Sequence, residues 1–376
     1  MLSRKVIPEG TKDLVFEESR KREWAIKKLE KIYESFGYES IVTPTIEYYK
    51  TFFNSKDGIK EEEVYKFFDN NGRILVLRPD MTIPIARVVG TKMREVKMPI
   101  RLRYCSNVFN VNKSFGGKRN EYTDCGVEFI GDSSLGSDLE ILVLALEGLK
   151  ELGLDKFKLE IGNIKFFNSA FNEMGLKEED REILANLIET KSLIELKVFL
   201  SSLNIEKKYK DFFSKLPWLF GNKEVLDNGL KLAFNEEVKE SLKYMKKLYS
   251  ILEKLGYGEY ITFDLGMVPR VNYYTGIIFK GYLNGIGDTV LNGGRYDSLI
   301  GAYGRNLDAI GFSVNIDLLT EGIKELDKNL KFIISYGENT ILRAMNEGNF
   351  LRKRGMNIEY KFISDKKDYF KVERGE

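Results

Sequence analysis

From Phe16 to Phe36 apolar residues recur at helical spacing, with Trp24, Leu29, Ile32, Tyr33 and Phe36 set among many charges, and Gly37 follows. That pattern predicts an amphipathic helix that stops at the glycine. YESIVTPTIEYY, residues 38 to 49, then reads as a strand. Arg73–Leu77, Ile100–Val111 and Tyr122–Ile130 are rich in β-branched and aromatic residues, and a polar loop, KSFGGKRNE, separates the last two. They predict antiparallel strands joined by a long hairpin loop. Asp138–Leu152 reads as a helix with Ser137 as N-cap and a stop at Gly153. From 175 to 255 the pattern turns Lys/Glu-rich and helical, with Gly221 and Gly229 as the glycines after Gly175. Strand character returns at Tyr260–Leu265, Gly276–Leu283 and Gly287–Leu291, and a helix is expected from about Asn315 to Leu326. The tail reads as a strand (LKFIISYG), a charged helix and a strand (MNIEYKFIS), one β-α-β unit.

Helices set against a mostly antiparallel sheet define an α+β fold. The expected organisation is a core built from residues 1–172 and 256–326, a helical insertion at 173–255 and a small C-terminal α/β module at 327–376.

Composition narrows the chemistry. There is no histidine among the 376 residues, which excludes imidazole bases, Ser-His and Cys-His nucleophile pairs and zinc sites built on histidine. Cys105 and Cys125 are too few for a disulfide framework or a thiolate metal site and read as two buried, reduced thiols. A formal charge of +2 argues against a large electrostatic footprint for nucleic acid. The N-terminus, MLSRKVIPEG, lacks the apolar stretch of a signal peptide, and the densest apolar run is broken by Glu140 and Glu147. A cytoplasmic chain without a membrane span is expected, with no cofactor and no metal.

Similarity runs from PEGTKD at Pro8 to Leu319, and within it six further segments in order carry a resemblance to the class II aminoacyl-tRNA synthetases and to the histidyl enzyme in particular. FGYESIVTPTIE resembles the dimer-forming first motif, and RPDMT, Arg78–Thr82, the amino-acid-binding loop. RLRYCSNVFN followed by EYTDCGVE is similar to the second motif. YYTG at Tyr273–Gly276 and NGGRYD at Asn292–Asp297 resemble the two histidine-specific segments, and GFSVNIDLL the third motif.

The resemblance implies roles. Asp80 and Thr82 match positions that hold the α-amine of histidine, and Asp124 stands where a Gln assists. Glu128 and Tyr274 match the imidazole contacts, with Tyr273 beside them. Arg270 stands one residue beyond the arginine expected for the carboxylate, whose place Pro269 takes. Asn110 and Leu318 replace the two arginines that hold ATP, and loss of such donors costs catalysis orders of magnitude.

Two readings of Glu128 are open here: a ligand acceptor, or a partner of Arg101 or Arg103. Tyr273 and Tyr274 are open to a role as core aromatics. Gly276, Gly293 and Gly294 read as turn or close-approach residues.

Within this superfamily, a synthetase-like core lacking the ATP arginines and ending in a shortened C-terminus resembles the regulatory subunits of short-form ATP phosphoribosyltransferase, for which LRPDMTIPIAR and LEIGNIKFF are further points of similarity. That family implies a non-catalytic subunit that activates a short catalytic chain and makes it sensitive to histidine as effector. It also implies a homodimer within a hetero-oligomer, a hetero-octamer, acting in the first step of histidine biosynthesis without binding tRNA. The competing expectation is a histidyl-tRNA synthetase paralogue that activates amino acids or senses tRNA.

Overall fold

The computed structural model describes residues 5–53, 59–112, 119–154, 156–268, 273–324, 326 and 331–375. It forms two compact units, Met1–Ile323 and Lys324–Glu376.

The first unit opens with helix α1 (Phe16–Ser35), which buries Ala25, Leu29 and Tyr33. Gly37, at φ +83°, then takes the left-handed turn that an L side chain would resist. The expected 38–49 strand is two strands. β1 (Glu39–Ser40) pairs in parallel with a strand of the main sheet, whereas β2 (Ile46–Tyr48) belongs to a separate sheet of three. Pro44 sits between them and has no N–H with which to continue a ladder.

After α2 (Tyr49–Phe52), β3 (Lys66–Phe68) and β4 (Ile74–Leu77) complete the small sheet, and α3 (Thr82–Thr91) follows. β5 (Ile100–Phe109) and β6 (Glu121–Ile130) form the expected hairpin, antiparallel from Ile100↔Ile130 to Phe109↔Glu121. Residues 113–118 of its polar loop lie outside the described residues. α4 (Leu135–Glu151) begins two residues before its expected cap. Ser134, not Ser137, is the N-cap, because its side chain accepts from the Ser137 N–H, while the Ser137 hydroxyl donates to the carbonyls of Asp132 and Ser134.

β7 (Phe157–Asn163) and α5 (Ile164–Asn172) lead into the helices α6 (Glu178–Glu189), α7 (Leu193–Ser202), α8 (Lys207–Lys215), α9 (Glu224–Leu232) and α10 (Glu236–Lys254). This stretch is not helical throughout. β8 (Phe220–Gly221) pairs with β9 (Ile261–Asp264) and forms one edge of the main sheet. The unit closes with β10 (Ile277–Leu283), β11 (Thr289–Arg295), β12 (Ala309–Asn315) and α11 (Ile316–Leu319). The helix expected to reach 326 therefore stops early, in a 3-10 turn at Thr320–Gly322.

The main sheet has nine strands in the order β1-β5-β6-β12-β11-β10-β7-β9-β8, and its pairings are antiparallel except for β1 with β5 and β7 with β9. This is the expected α+β arrangement of helices on a mostly antiparallel sheet. β12 and β6, both nearly fully buried, stand side by side near its middle.

The second unit pairs β13 (Lys331–Tyr336) in parallel with β14 (Asn357–Phe362) across α12 (Ile341–Lys353), the expected β-α-β unit. β15 (Phe370–Arg374), antiparallel to β13, was not foreseen. Ile334, Ala344 and Leu351 form its small core. Among the described residues no helix is long and apolar enough to cross a membrane.

Candidate functional site

The strand period of two sorts the charged residues of the β5–β6 hairpin onto opposite faces. Arg101 and Arg103 stand opposite Phe129 and Val127, whereas Glu128 is opposite Leu102. Neither arginine pairs with Glu128: Arg101 binds Glu140 at 2.7 Å and lies over the Phe129 ring, and Arg103 binds Glu30 and Glu34. Glu128, 1% exposed, instead accepts from Thr82 Oγ1 at 2.9 Å and from the Tyr296 hydroxyl at 2.5 Å. The strand next to it is opened by a glycine. A Cβ on Gly311 would overlap the Glu128 carboxylate, so this position of β12 must stay bare for the acid to fit.

Asp80, Thr82, Asp124, Glu128, Tyr273 and Tyr274 all line one cleft of about 2070 Å³. Asp80 sits at the head of α3, where its Oδ1 accepts the Ile83 N–H at 3.1 Å, a capping contact that fixes the loop. The rings of Tyr273 and Tyr274 are 4.9 Å apart, and Tyr273 meets Tyr296 edge-on at 6.0 Å. Both tyrosines also pack on the core cluster that includes Tyr104, Met81 and Tyr296, so their rings join the core and also line the cleft. Arg270 lies outside the described residues, as does Pro269.

The electrostatics of the two buried acids is governed by burial. The Asp124 carboxyl is pushed up to about 7, first by burial and next by the charge of Asp80, with the Ser313 hydroxyl opposing both. Glu128 is pushed up to about 8 by burial, against the Tyr296 and Thr82 hydrogen bonds, and Asp80 adds to the rise. Burial thus draws both carboxyls towards their protonated forms, and a cation beside them would favour ionisation. Ammonium and imidazole N–H groups are donors matched to such acceptors.

Other lining residues have different chemistry. Asn110 donates through Nδ2 to the Pro79 carbonyl at 3.0 Å and to the Tyr122 hydroxyl at 3.2 Å. Leu318 presents an apolar side chain, and its N–H is capped by Asn315. Arg119 also lines the cleft, but its guanidinium binds Asp317 at 2.5 Å, and Asp317 accepts the Thr123 N–H as well. Among the described residues no group of His, Cys, Asp and Glu is placed to hold a metal ion. Cys105, half-buried, and Cys125, buried, face each other across the hairpin as free thiols.

Sequence reasoning singled out NGGRYD as a segment but passed over Tyr296, which donates to Glu128, and Ser313, which faces Asp124. Tyr296 was open to discovery, since it is the aromatic residue inside a motif already assigned to the pocket. Of the three glycines, none has the left-handed φ of a turn residue. Gly294 owes its place to close approach: a Cβ there would come within 2.7 Å of the Tyr274 ring and 2.8 Å of the Ile277 carbonyl oxygen.

Sheet order and site together define a histidyl-tRNA synthetase-like core, and the family model described as histidyl-tRNA synthetase matches residues 10–319. The histidyl-tRNA synthetase of Nostoc sp. PCC 7120 shares the fold at a TM-score of 0.79 and 19% identity. Full-length relatives are more specific. The chain is 40% identical over 371 residues to the ATP phosphoribosyltransferase regulatory subunit of Clostridium botulinum (strain 657 / Type Ba4), covering 97% of this chain and 88% of that one. It is 38% identical over 374 residues to the Bacillus cereus (strain ATCC 10987 / NRS 248) protein of the same name, covering 98% and 89%. A Bacillus halodurans crystal structure, described as an ATP phosphoribosyltransferase regulatory subunit/histidyl-tRNA synthetase, superimposes with a TM-score of 0.87 at 32% identity, covering 96% of this chain and 94% of that one. The chain belongs to the ATP phosphoribosyltransferase regulatory subunit family.

Proposed function

We propose that this protein is a non-catalytic subunit that binds histidine at Asp80, Thr82, Asp124, Glu128 and Tyr274, activates a short catalytic ATP phosphoribosyltransferase chain, and transmits histidine inhibition to it. It does so as a homodimer within a hetero-oligomer, in the first step of histidine biosynthesis. The observation that carries this is the composition of the cleft lining. Its lining keeps buried acceptors suited to an ammonium and an imidazole, while Asn110 and Leu318 stand where the resemblance places arginines for ATP. Arg119, a cation of the lining, is already paired with Asp317. A ligand that binds one state of such a subunit better than another shifts that state's population, and linkage makes the effect on a bound partner reciprocal.

A synthetase paralogue would need the phosphate-holding cations that these positions lack. The test is a pair of measurements on the purified chain. Calorimetry should register histidine binding without ATP, and histidine-dependent exchange of labelled pyrophosphate into ATP should stay at background. Exchange at an ordinary enzyme rate, about 1 s⁻¹ or faster, would restore the synthetase alternative.

A further inference from the structure

A chain of hydrogen bonds with a buried centre at Asp138 and Arg295 runs from the last helix of the 173–255 stretch into the tyrosine loop of the pocket. The Tyr244 hydroxyl on α10 donates to Asp138 Oδ2 at 2.5 Å, joining residues 106 apart in sequence. The other oxygen of Asp138 accepts from Arg295, whose Nε is 2.9 Å away. Arg295 also donates to the Ser137 hydroxyl at 2.8 Å, to the Asp132 carbonyl at 3.2 Å and to Asp297 Oδ1 at 3.1 Å. Asp297 Oδ2 then accepts from the Thr275 hydroxyl at 2.7 Å, and the Asp297 N–H returns to the same hydroxyl at 3.0 Å. The Thr275 amide donates to the Arg295 carbonyl at 2.8 Å. Thr275 follows Tyr274 directly, and Tyr296 lies between the two charged members.

Asp138 and Arg295 are 2% and 6% exposed. At that depth a charged group is tolerated only while its partners stay in place, so the network has one good arrangement rather than many. Burial raises the Asp138 carboxyl while Arg295 and Tyr244 draw it down. A shift of α10 that withdrew the Tyr244 hydroxyl would alter the acid that fixes Arg295, and with it both segments carrying pocket tyrosines.

We infer that Tyr244 is a positioning residue for the ligand pocket, acting through Asp138, Arg295, Asp297 and Thr275, and that this network couples α10 to pocket occupancy. The coupling to a ligand rests on the proposal that the pocket binds histidine. Asp138 is the joint, accepting from Tyr244 of α10 and from Arg295 of β11. The reverse direction follows from linkage: a ligand that orders Tyr273 and Tyr274 must also favour the α10 position in which Tyr244 is bonded.

The experiment uses the full chain with Tyr244→Phe, Thr275→Val and the double variant. Each removes one hydroxyl at nearly constant volume. Histidine affinity is measured by calorimetry, and amide hydrogen exchange of 273–283 and 292–297 is measured without ligand. The expected result is a three- to ten-fold weaker histidine Kd for each single variant, and a double variant no weaker than the poorer single one. Exchange in both segments should be at least five-fold faster in Tyr244→Phe, with thermal stability within a few degrees of wild type. Unchanged exchange in these segments overturns the inference. So does a Kd within two-fold of wild type in Tyr244→Phe, or strict additivity in the double variant. Failure of the wild-type chain to bind histidine would refute the pocket assignment instead, and the exchange measurement would still judge the network by itself.

Discussion

Replacing Glu128 by Gln separates ligand binding from fold stability, because the structure predicts opposite effects on the two. The carboxylate is 1% exposed and held by Thr82 and Tyr296. A glutamine fits the same space, and each hydroxyl can turn to donate or accept. Loss of a charged hydrogen bond to the ligand costs about 1.5 to 3 kcal/mol, which weakens histidine binding roughly ten- to 150-fold.

Stability should change in the other direction. The folded-state pKa of Glu128 lies near 8, above its ordinary 4.5, so the folded chain holds a proton that the unfolded chain gives up. Stability from this group is full below pH 4.5 and is lost as pH rises towards 8. At about 1.4 kcal/mol per pKa unit the loss is on the order of 5 kcal/mol, and Glu128→Gln is spared it. Thermal unfolding from pH 5 to 9 should therefore show the variant gaining on wild type as pH rises, with the gap levelling off above pH 8. Calorimetry at pH 7.5 measures the binding loss. A gap that does not vary with pH refutes the electrostatic argument, and histidine affinity within three-fold of wild type refutes the role of Glu128 as ligand acceptor.

Tyr296→Phe removes the hydroxyl donor that lowers the Glu128 pKa. Proton release on histidine binding at pH 7.5, read by calorimetry in buffers of different ionisation enthalpy, should rise relative to wild type; no change would place the acid outside the ligand contact. Gly294→Ala forces a Cβ to within 2.7 Å of the Tyr274 ring. Such overpacking costs about 1 to 3 kcal/mol, so both the thermal midpoint and histidine affinity should fall.

Much of the core was legible because its signals are local. Helix α1 is marked by its apolar spacing and by Gly37, and the hairpin of Ile100–Phe109 and Glu121–Ile130 by two β-rich runs around a polar loop. Asp80, Thr82, Asp124, Glu128, Tyr273 and Tyr274 stand in short ordered segments, and the fold brings these six to one cleft. What escaped depends on distant pairing. Glu128 is separated from Arg101 and Arg103 by the pleat, which is fixed only once the register Leu102↔Glu128 is known. Its true donors come from α3 and from just beyond β11, 46 and 168 residues away. Phe220–Gly221 joins the sheet as a two-residue strand, too short to carry any alternation. Tyr244 reads as one more helix residue until α10 is seen to lie against α4.

The proposal that this chain acts only through a catalytic partner is tested most directly by reconstitution. The purified chain is mixed at micromolar concentration with the short catalytic ATP phosphoribosyltransferase chain of the same genome, and phosphoribosyl-ATP formation is followed with and without histidine. The expected result is co-elution as a hetero-oligomer, a marked rise in rate over the catalytic chain alone, and histidine inhibition that disappears when this chain is omitted. No complex and no change in rate would contradict the account.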